Sequence, residues 1–320
     1  MKGDRFMDKK ILVATDGSIH SERSIAYIGH LFGKDSGVRA TLFYILPPLP
    51  PVLTEKGEGY GDWQVLSQKA QQLMDIHRRK ARSVMDKGRA ILMKAGLGEE
   101  VINTQIVEKK IGLARDIIFE AEKGNYDAVV VGRRGLSKLE SAIMGSISTK
   151  VVQALQTRPV WVIDGKITSN KILLPMDTSD ASLKAVDHLG FMIDGLPGIE
   201  ITLYHVLPGL GFFSAEEEEV DLSDVEDLWM EKEAEEIYAV FGQAKKMLQD
   251  AGLPEKQVKC KIKKGPTNVA REILREAQRR DFGTIVMARR GLSKTREFFM
   301  GSVSSKILAS AENLAVWIVS

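Results

Sequence analysis

The chain has 320 residues, 44% hydrophobic and 28% charged, enough for two cores of ordinary domain size. Its 45 Lys and Arg nearly balance its 43 Asp and Glu, and a net charge of +2 gives no electrostatic case for a nucleic-acid partner. The single cysteine, Cys260, excludes an intramolecular disulfide framework and fits a reducing, cytoplasmic setting, while no run approaches the ~18 apolar residues of a membrane span.

The first ten residues, Met1 to Lys10, are charged and lack the apolar stretch of a signal peptide. Short β-rich runs follow near 10–15, 38–46, 101–108, 127–132 and 159–163. They are apolar almost throughout, as in Ala128-Val129-Val130-Val131, which suits parallel strands buried on both faces. Pro47-Pro48-Leu49-Pro50-Pro51 reads as a stiff extended connection, with a proline-recognition ligand as the alternative. Between the second and third runs, 63–96 carries Leu66, Ala70, Leu73, His77, Ala81, Val84, Gly88, Ile91 and Ala95 at alternating spacings of three and four. That spacing predicts one long amphipathic helix ended by Gly96.

After a short polar boundary at Asp164–Ser169 the chain repeats itself. Ile11–Asp16 returns as Ile172–Asp177, and Gly132-Arg133-Arg134-Gly135-Leu136-Ser137-Lys138 returns as Ala288-Arg289-Arg290-Gly291-Leu292-Ser293-Lys294. Met144-Gly145-Ser146-Ile147 returns as Met300-Gly301-Ser302-Val303, and the second long helix carries Ala234, Ile237, Phe241, Ala244, Leu248 and Ala251 before Gly252. Two domains are therefore expected, 1–164 and 165–320, each with strands alternating with helices in an open parallel α/β sheet. The apolar last strands, Val160–Ile163 and Val316–Val319, are expected to pair the halves about a pseudo-twofold axis, with a homodimer as a further possibility. Cys260 reads as a half-buried strand residue. The run Glu216–Glu219 with Asp221, Asp224, Glu226 and Asp227 fits a solvated helix entrance, or alternatively a metal site.

In an open α/β sheet, ligands sit beyond the carboxyl ends of the strands where the strand order reverses. Asp16 closes the first strand and Gly132 the fourth, on either side of that reversal. The loop Gly132-x2-Gly135-x9-Gly145-Ser146 then enters a helix. Its glycines allow close approach of backbone amides or positive φ, the helix start supplies free N–H donors, and Arg133 or Arg134 is placed to add charge. The alternative is that the glycines only turn the chain and Ser146 only caps the helix. The chain has no G-x4-G-K-[ST] loop, and Thr15-Asp16-Gly17-Ser18-Ile19-His20 lacks the paired glycines of α-phosphate-cleaving relatives of this fold. His20 near Asp16 fits a structural role, with a catalytic base as the alternative.

G-x2-G-x9-G-[ST] after an apolar fourth strand, with Asp closing the first, resembles the universal stress protein family, over essentially the whole chain as two tandem domains. The resemblance implies, for each half, a Rossmann-like sheet of five parallel strands in order 3-2-1-4-5 with helices on both faces. It implies an adenine nucleotide as ligand (ATP, or AMP or ADP), with Mg²⁺ compatible with ATP. Carried over residue by residue, Asp16 and Ile45 hold the adenosine part. Val131, Gly132 and Gly135 line the ribose and phosphate path, Gly145, Ser146 and Ile147 hold the phosphates, and Thr15 and Arg133 are counted with the same nucleotide site. In the second half Asp177, Val206, Met287, Gly291, Gly301, Ser302 and Val303 form a possible second site. There Ala288 replaces the first glycine, and its methyl either narrows the site or points away. A cytoplasmic nucleotide-binding stress or regulatory protein is the leading expectation. A slow ATP hydrolase and an empty dimerisation module are the alternatives, and neither catalytic residues nor a protein partner are assigned.

Overall fold

The computed structural model describes residues 9–33, 36–54, 63–135, 144–207, 209, 223–265, 268–291 and 300–320. The acidic residues Glu216–Glu219 and Asp221 lie outside these, as do the loop residues Leu136–Lys138 and Leu292–Lys294.

The first half runs β1 (Lys9–Ala14), α1 (Ile19–Phe32), β2 (Val38–Leu46), α2 (Pro51–Thr54), α3 (Trp63–Ala95), β3 (Ile102–Glu108), α4 (Leu113–Lys123), β4 (Ala128–Gly132), α5 (Ser146–Ala154) and β5 (Val160–Ile163). The second runs β6 (Lys171–Pro175), α6 (Asp180–Ile193), β7 (Glu200–Leu207), α7 (Ser223–Asp250), β8 (Val258–Lys264), α8 (Val269–Arg279), β9 (Thr284–Ala288), α9 (Ser302–Ser310) and β10 (Ala315–Val319). The proline-rich connection is not extended throughout, since Pro51 opens the one-turn α2. Proline at a first helical position gives up no hydrogen bond. Gly96 and Gly252 leave the long helices with φ of 105° and 90°, conformations that only glycine enters readily. Cys260 sits partly buried in β8, where burial pushes its thiol pKa up.

The strands form one ten-stranded sheet, β3-β2-β1-β4-β5-β10-β9-β6-β7-β8. Each half keeps the parallel order 3-2-1-4-5, and the two open sheets fuse where β5 meets β10 antiparallel, Trp161 opposite Trp317. A strand apolar on both faces cannot remain a free edge, and its duplicate supplies a matched partner. Helices α1, α3, α6 and α7 cover one face over a core that runs through both halves; α4, α5, α8 and α9 cover the other.

The junction is held by residues that the repeat makes equivalent. Trp161 and Trp317 are fully buried and stack at 3.6 Å with an interplanar angle of 2°. Each indole N–H donates into the opposite half, Trp161 Nε1 to His188 Nε2 at 3.3 Å and Trp317 Nε1 to the Tyr27 hydroxyl at 3.0 Å. The guanidiniums cross as well. Arg133, 1% exposed, donates to the carbonyls of Ala309 and Ala311 at the end of α9. Arg289 donates to those of Val152 and Leu155 at the end of α5. A helix C-terminus offers unpaired carbonyls and the negative end of the dipole, so each arginine satisfies both. Lys9 makes a third crossing, its Nζ donating to the Asp194 carbonyl at 2.9 Å.

His188 gives the junction a pH dependence. Burial pulls its pKa down from 6.5 to about 4, so the folded state prefers the neutral ring that accepts from Trp161. The unfolded chain binds that proton more readily, so stability is complete above about pH 6.5 and declines as pH falls toward 4. Each unit of the difference is about 1.4 kcal/mol, so the loss reaches roughly 3 kcal/mol. Denaturation at pH 7 and pH 4.5 should show this decline, and His188→Gln, which keeps an acceptor without a titrating ring, should flatten it. An equal slope in the variant would assign the acid sensitivity elsewhere.

Candidate functional site in the first half

A cavity of about 460 Å³ opens at the carboxyl ends of β1 and β4, where the strand order of the first half reverses. Thr15, Asp16, Ile45, Val131, Gly132, Gly135, Gly145, Ser146 and Ile147 all line it.

The turn after β1 is fixed locally. Gly17 adopts φ of 77°, a left-handed conformation that costs glycine little. Ser18 caps α1 by accepting from the Ser21 amide, and Asp16 Oδ1 accepts the Ser18 amide at 2.9 Å. The Thr15 hydroxyl donates to Ser21 Oγ at 3.0 Å, and Ser21 Oγ donates to the Ser18 carbonyl at 2.9 Å. Asp16 is close enough to Tyr44 that its charge, after burial, helps raise the tyrosine pKa.

The glycine loop is stapled at both ends. The Gly145 amide donates to the Arg133 carbonyl at 2.8 Å, and Ser148 Oγ donates to the Gly132 carbonyl at 2.6 Å. Gly145 caps α5 without a side-chain hydrogen bond, and the first amide bonded within the helix is that of Thr149. The amides of Ser146, Ile147 and Ser148 therefore have no acceptor within the helix, at the positive dipole end and at the edge of the cavity.

Neither Gly132 nor Gly135 lies in the left-handed region; both serve close approach. A β-carbon on Gly135 would stand 2.7 Å from Asp16 Oδ2. A β-carbon on Gly132 would stand 3.0 Å from the Arg134 carbonyl oxygen and 3.4 Å from the His20 backbone, so this glycine packs the loop against the start of α1. This bears on Ala288, which is 9% exposed at the matching place. Its methyl corresponds to a direction toward the helix entrance, and Ala288→Gly should change nucleotide affinity of the second half by less than about twofold. A clear gain by calorimetry would put the methyl against the ligand instead.

Arg133 is a correction to the sequence-based expectation. Although it follows Gly132, it does not line the cavity, because its guanidinium is spent on the end of α9 and stands 3.8 Å from Asp164. Arg134 lines the cavity instead.

Several lining residues escaped the sequence reading: Tyr44, Lys80, Lys109, Leu113, Ile117 and Ser148 among them. His77 also lines it, and its Nδ1 is buried with no hydrogen-bond partner. A histidine within the apolar stripe of a long helix was the available signal. The others come from β2 (Tyr44), the side of α3 (Lys80), the turn before α4 (Lys109), α4 itself (Leu113 and Ile117) and the first turn of α5 (Ser148), and which of their faces meets the cavity cannot be read from spacing.

In the second half Asp177 follows β6, Val206 and Met287 are buried in β7 and β9, Gly291 follows β9, Gly301 caps α9, and Ser302 and Val303 open it. Asp177 is held differently from Asp16. Its Oδ1 accepts from the hydroxyls of both Ser179 and Ser182, the latter at 2.6 Å. Thr15, which engages the matching Ser21 in the first half, is replaced by Met176, so Ser182 turns to the aspartate.

Among the described residues no three His, Cys, Asp or Glu side chains are grouped to hold a metal ion, and no helix is long and apolar enough to cross a membrane. A family model described as the universal stress protein family matches residues 7–164 and again 168–320. The chain is 23% identical over 308 residues to universal stress protein Slr1230 of Synechocystis sp., covering 94% of this chain and 96% of that protein. A universal stress protein structure from Archaeoglobus fulgidus matches 98% of this chain and 97% of its own, at 18% identity and a TM-score of 0.58. A putative universal stress protein structure from Pseudomonas aeruginosa matches 97% and 92%, at 17% identity and a TM-score of 0.52. At these identities the two structures speak for the fold.

Proposed function

The chain belongs to the universal stress protein family, and from that premise we propose that its first half binds an adenine nucleotide, ATP or its AMP and ADP relatives, as a cytoplasmic stress-response regulator. One observation carries this reading: a single cavity joins Asp16, the glycine loop and the start of α5. Its volume of about 460 Å³ is within the range of small-molecule sites, roughly 300–1,000 Å³. Apolar Phe43, Ile45, Leu113, Ile117 and Val131 supply walls for a base, and the amides of Ser146, Ile147 and Ser148 supply donors for phosphate. The residues suit phosphates more clearly than a bare metal, and Mg²⁺ would enter with ATP as a phosphate-bound ion. The role needs binding and readout, with no bond broken in the cavity.

Mass spectrometry of ligand released from freshly purified, denatured protein tests the proposal. An adenine nucleotide at near one per chain is the expected result. Protein that is empty as purified and shows no binding of ATP, ADP or AMP by calorimetry would reject it.

A further inference from the structure

We propose that the first-half cavity counts phosphates, and that α3 and the turn before α4 perform the counting through a cationic wall that the second half has reversed in sign. The inference rests on the nucleotide reading above and deepens it.

Among the described residues, four basic side chains line the cavity: His77 and Lys80 from α3, Lys109 after β3, and Arg134 from the glycine loop. Among those same described residues Asp16 is the only lining carboxylate, so three permanent cations face one anion there. The wall is braced from outside the cavity. The buried carboxylate of Asp116 accepts the amides of Lys110 and Ile111 at 2.9 and 3.1 Å, fixing the turn that carries Lys109. Arg78 bonds Glu108 at 3.2 Å, tying α3 to the end of β3. The unpartnered, buried Nδ1 of His77 stands on this same wall. An uncommitted donor-acceptor at a cavity lining, beside two lysines, fits an anionic guest.

The repeat gives an internal comparison. The buried residues Ala81, Met85, Gly88 and Leu92 of α3 match Ile237, Phe241, Ala244 and Leu248 of α7 at one constant offset of 156. That register puts Glu233 where His77 stands and Glu236 where Lys80 stands, while Gly265 replaces Lys109. Only Arg290 keeps its sign, opposite Arg134. With Asp177, the second half has three acids and one cation at the positions where the first has one acid and three lysine or arginine cations. Like charges at a phosphate-sized distance repel, and a partly walled cavity screens them less than open water does. The first half therefore prefers the more highly charged ligand, and the second disfavours it.

Calorimetry on the full chain in EDTA, with adenosine, AMP, ADP and ATP, reads this directly. The unmodified protein should bind more tightly with each added phosphate. Lys80→Gln combined with Lys109→Gln should lower ATP affinity about tenfold and change adenosine by less than twofold. Glu233→Gln combined with Glu236→Gln should strengthen or uncover a second ATP-binding event while leaving the first alone. Equal affinity along the series, or a series that survives loss of both lysines, overturns the charge reading and leaves nucleotide binding intact. If no adenine compound binds, the nucleotide reading fails separately. Inorganic tripolyphosphate then decides the wall: binding that the lysine variant loses upholds it, and no binding overturns it.

Discussion

Trp161→Ala is expected to destabilise the protein by roughly 3–5 kcal/mol, the range for removing a buried tryptophan. The indole is fully buried at the centre of the ten-stranded sheet, stacked on Trp317 at 3.6 Å and near Phe32 at 6.1 Å. Truncation opens a cavity where β5 meets β10, removes an aromatic pair worth about 0.5–1.5 kcal/mol beyond its burial, and leaves His188 Nε2 without its donor. The two faces of the sheet carry cores that run through both halves, so the damage should spread to both. Urea denaturation followed by circular dichroism should show a lower midpoint. Trp161→Phe, which keeps a stacked ring, should recover part of the loss. A loss below about 1 kcal/mol would mean that the junction contributes little and each half stands alone.

Gly135→Val should weaken adenine-nucleotide binding by roughly 5–150-fold, the equivalent of the 1–3 kcal/mol typical of overpacking. The added β-carbon would lie 2.7 Å from Asp16 Oδ2, so the carboxylate must leave its place in the cavity. The backbone at Gly135 is outside the left-handed region, so the fold should persist, with an unchanged far-ultraviolet spectrum. A double-mutant cycle with Asp16→Ala isolates the cause. If the loss acts through Asp16, the double variant should be little worse than the worse single one. Full additivity would place the valine against the ligand directly, and unchanged affinity in a folded variant would reduce the glycine loop to a turn.

The amino-acid sequence by itself determined the duplication, the strand and helix pattern, and the glycine-loop and first-strand part of the cavity lining. Apolar strands such as Ala128–Val131 and a helix of alternating three and four spacing leave little freedom to local structure. Asp16, Gly132, Gly135, Gly145 and Ser146 come together because strand ends and helix starts have fixed places in this topology. What only the tertiary structure decided concerns direction. Arg133 and Arg134 are adjacent in sequence, yet one crosses to the end of α9 and the other lines the cavity, because successive side chains leaving a strand point to opposite sides. Gly132 lines the cavity, but the direction a side chain would take from it is packed against the Arg134 carbonyl and the start of α1, a matter of which atoms lie 3 Å away. The cationic side of α3 was hidden for the same reason. Periodicity identifies the face of a helix that is buried, but which neighbour a half-buried His77 or an exposed Lys80 faces depends on contacts between segments distant in the chain.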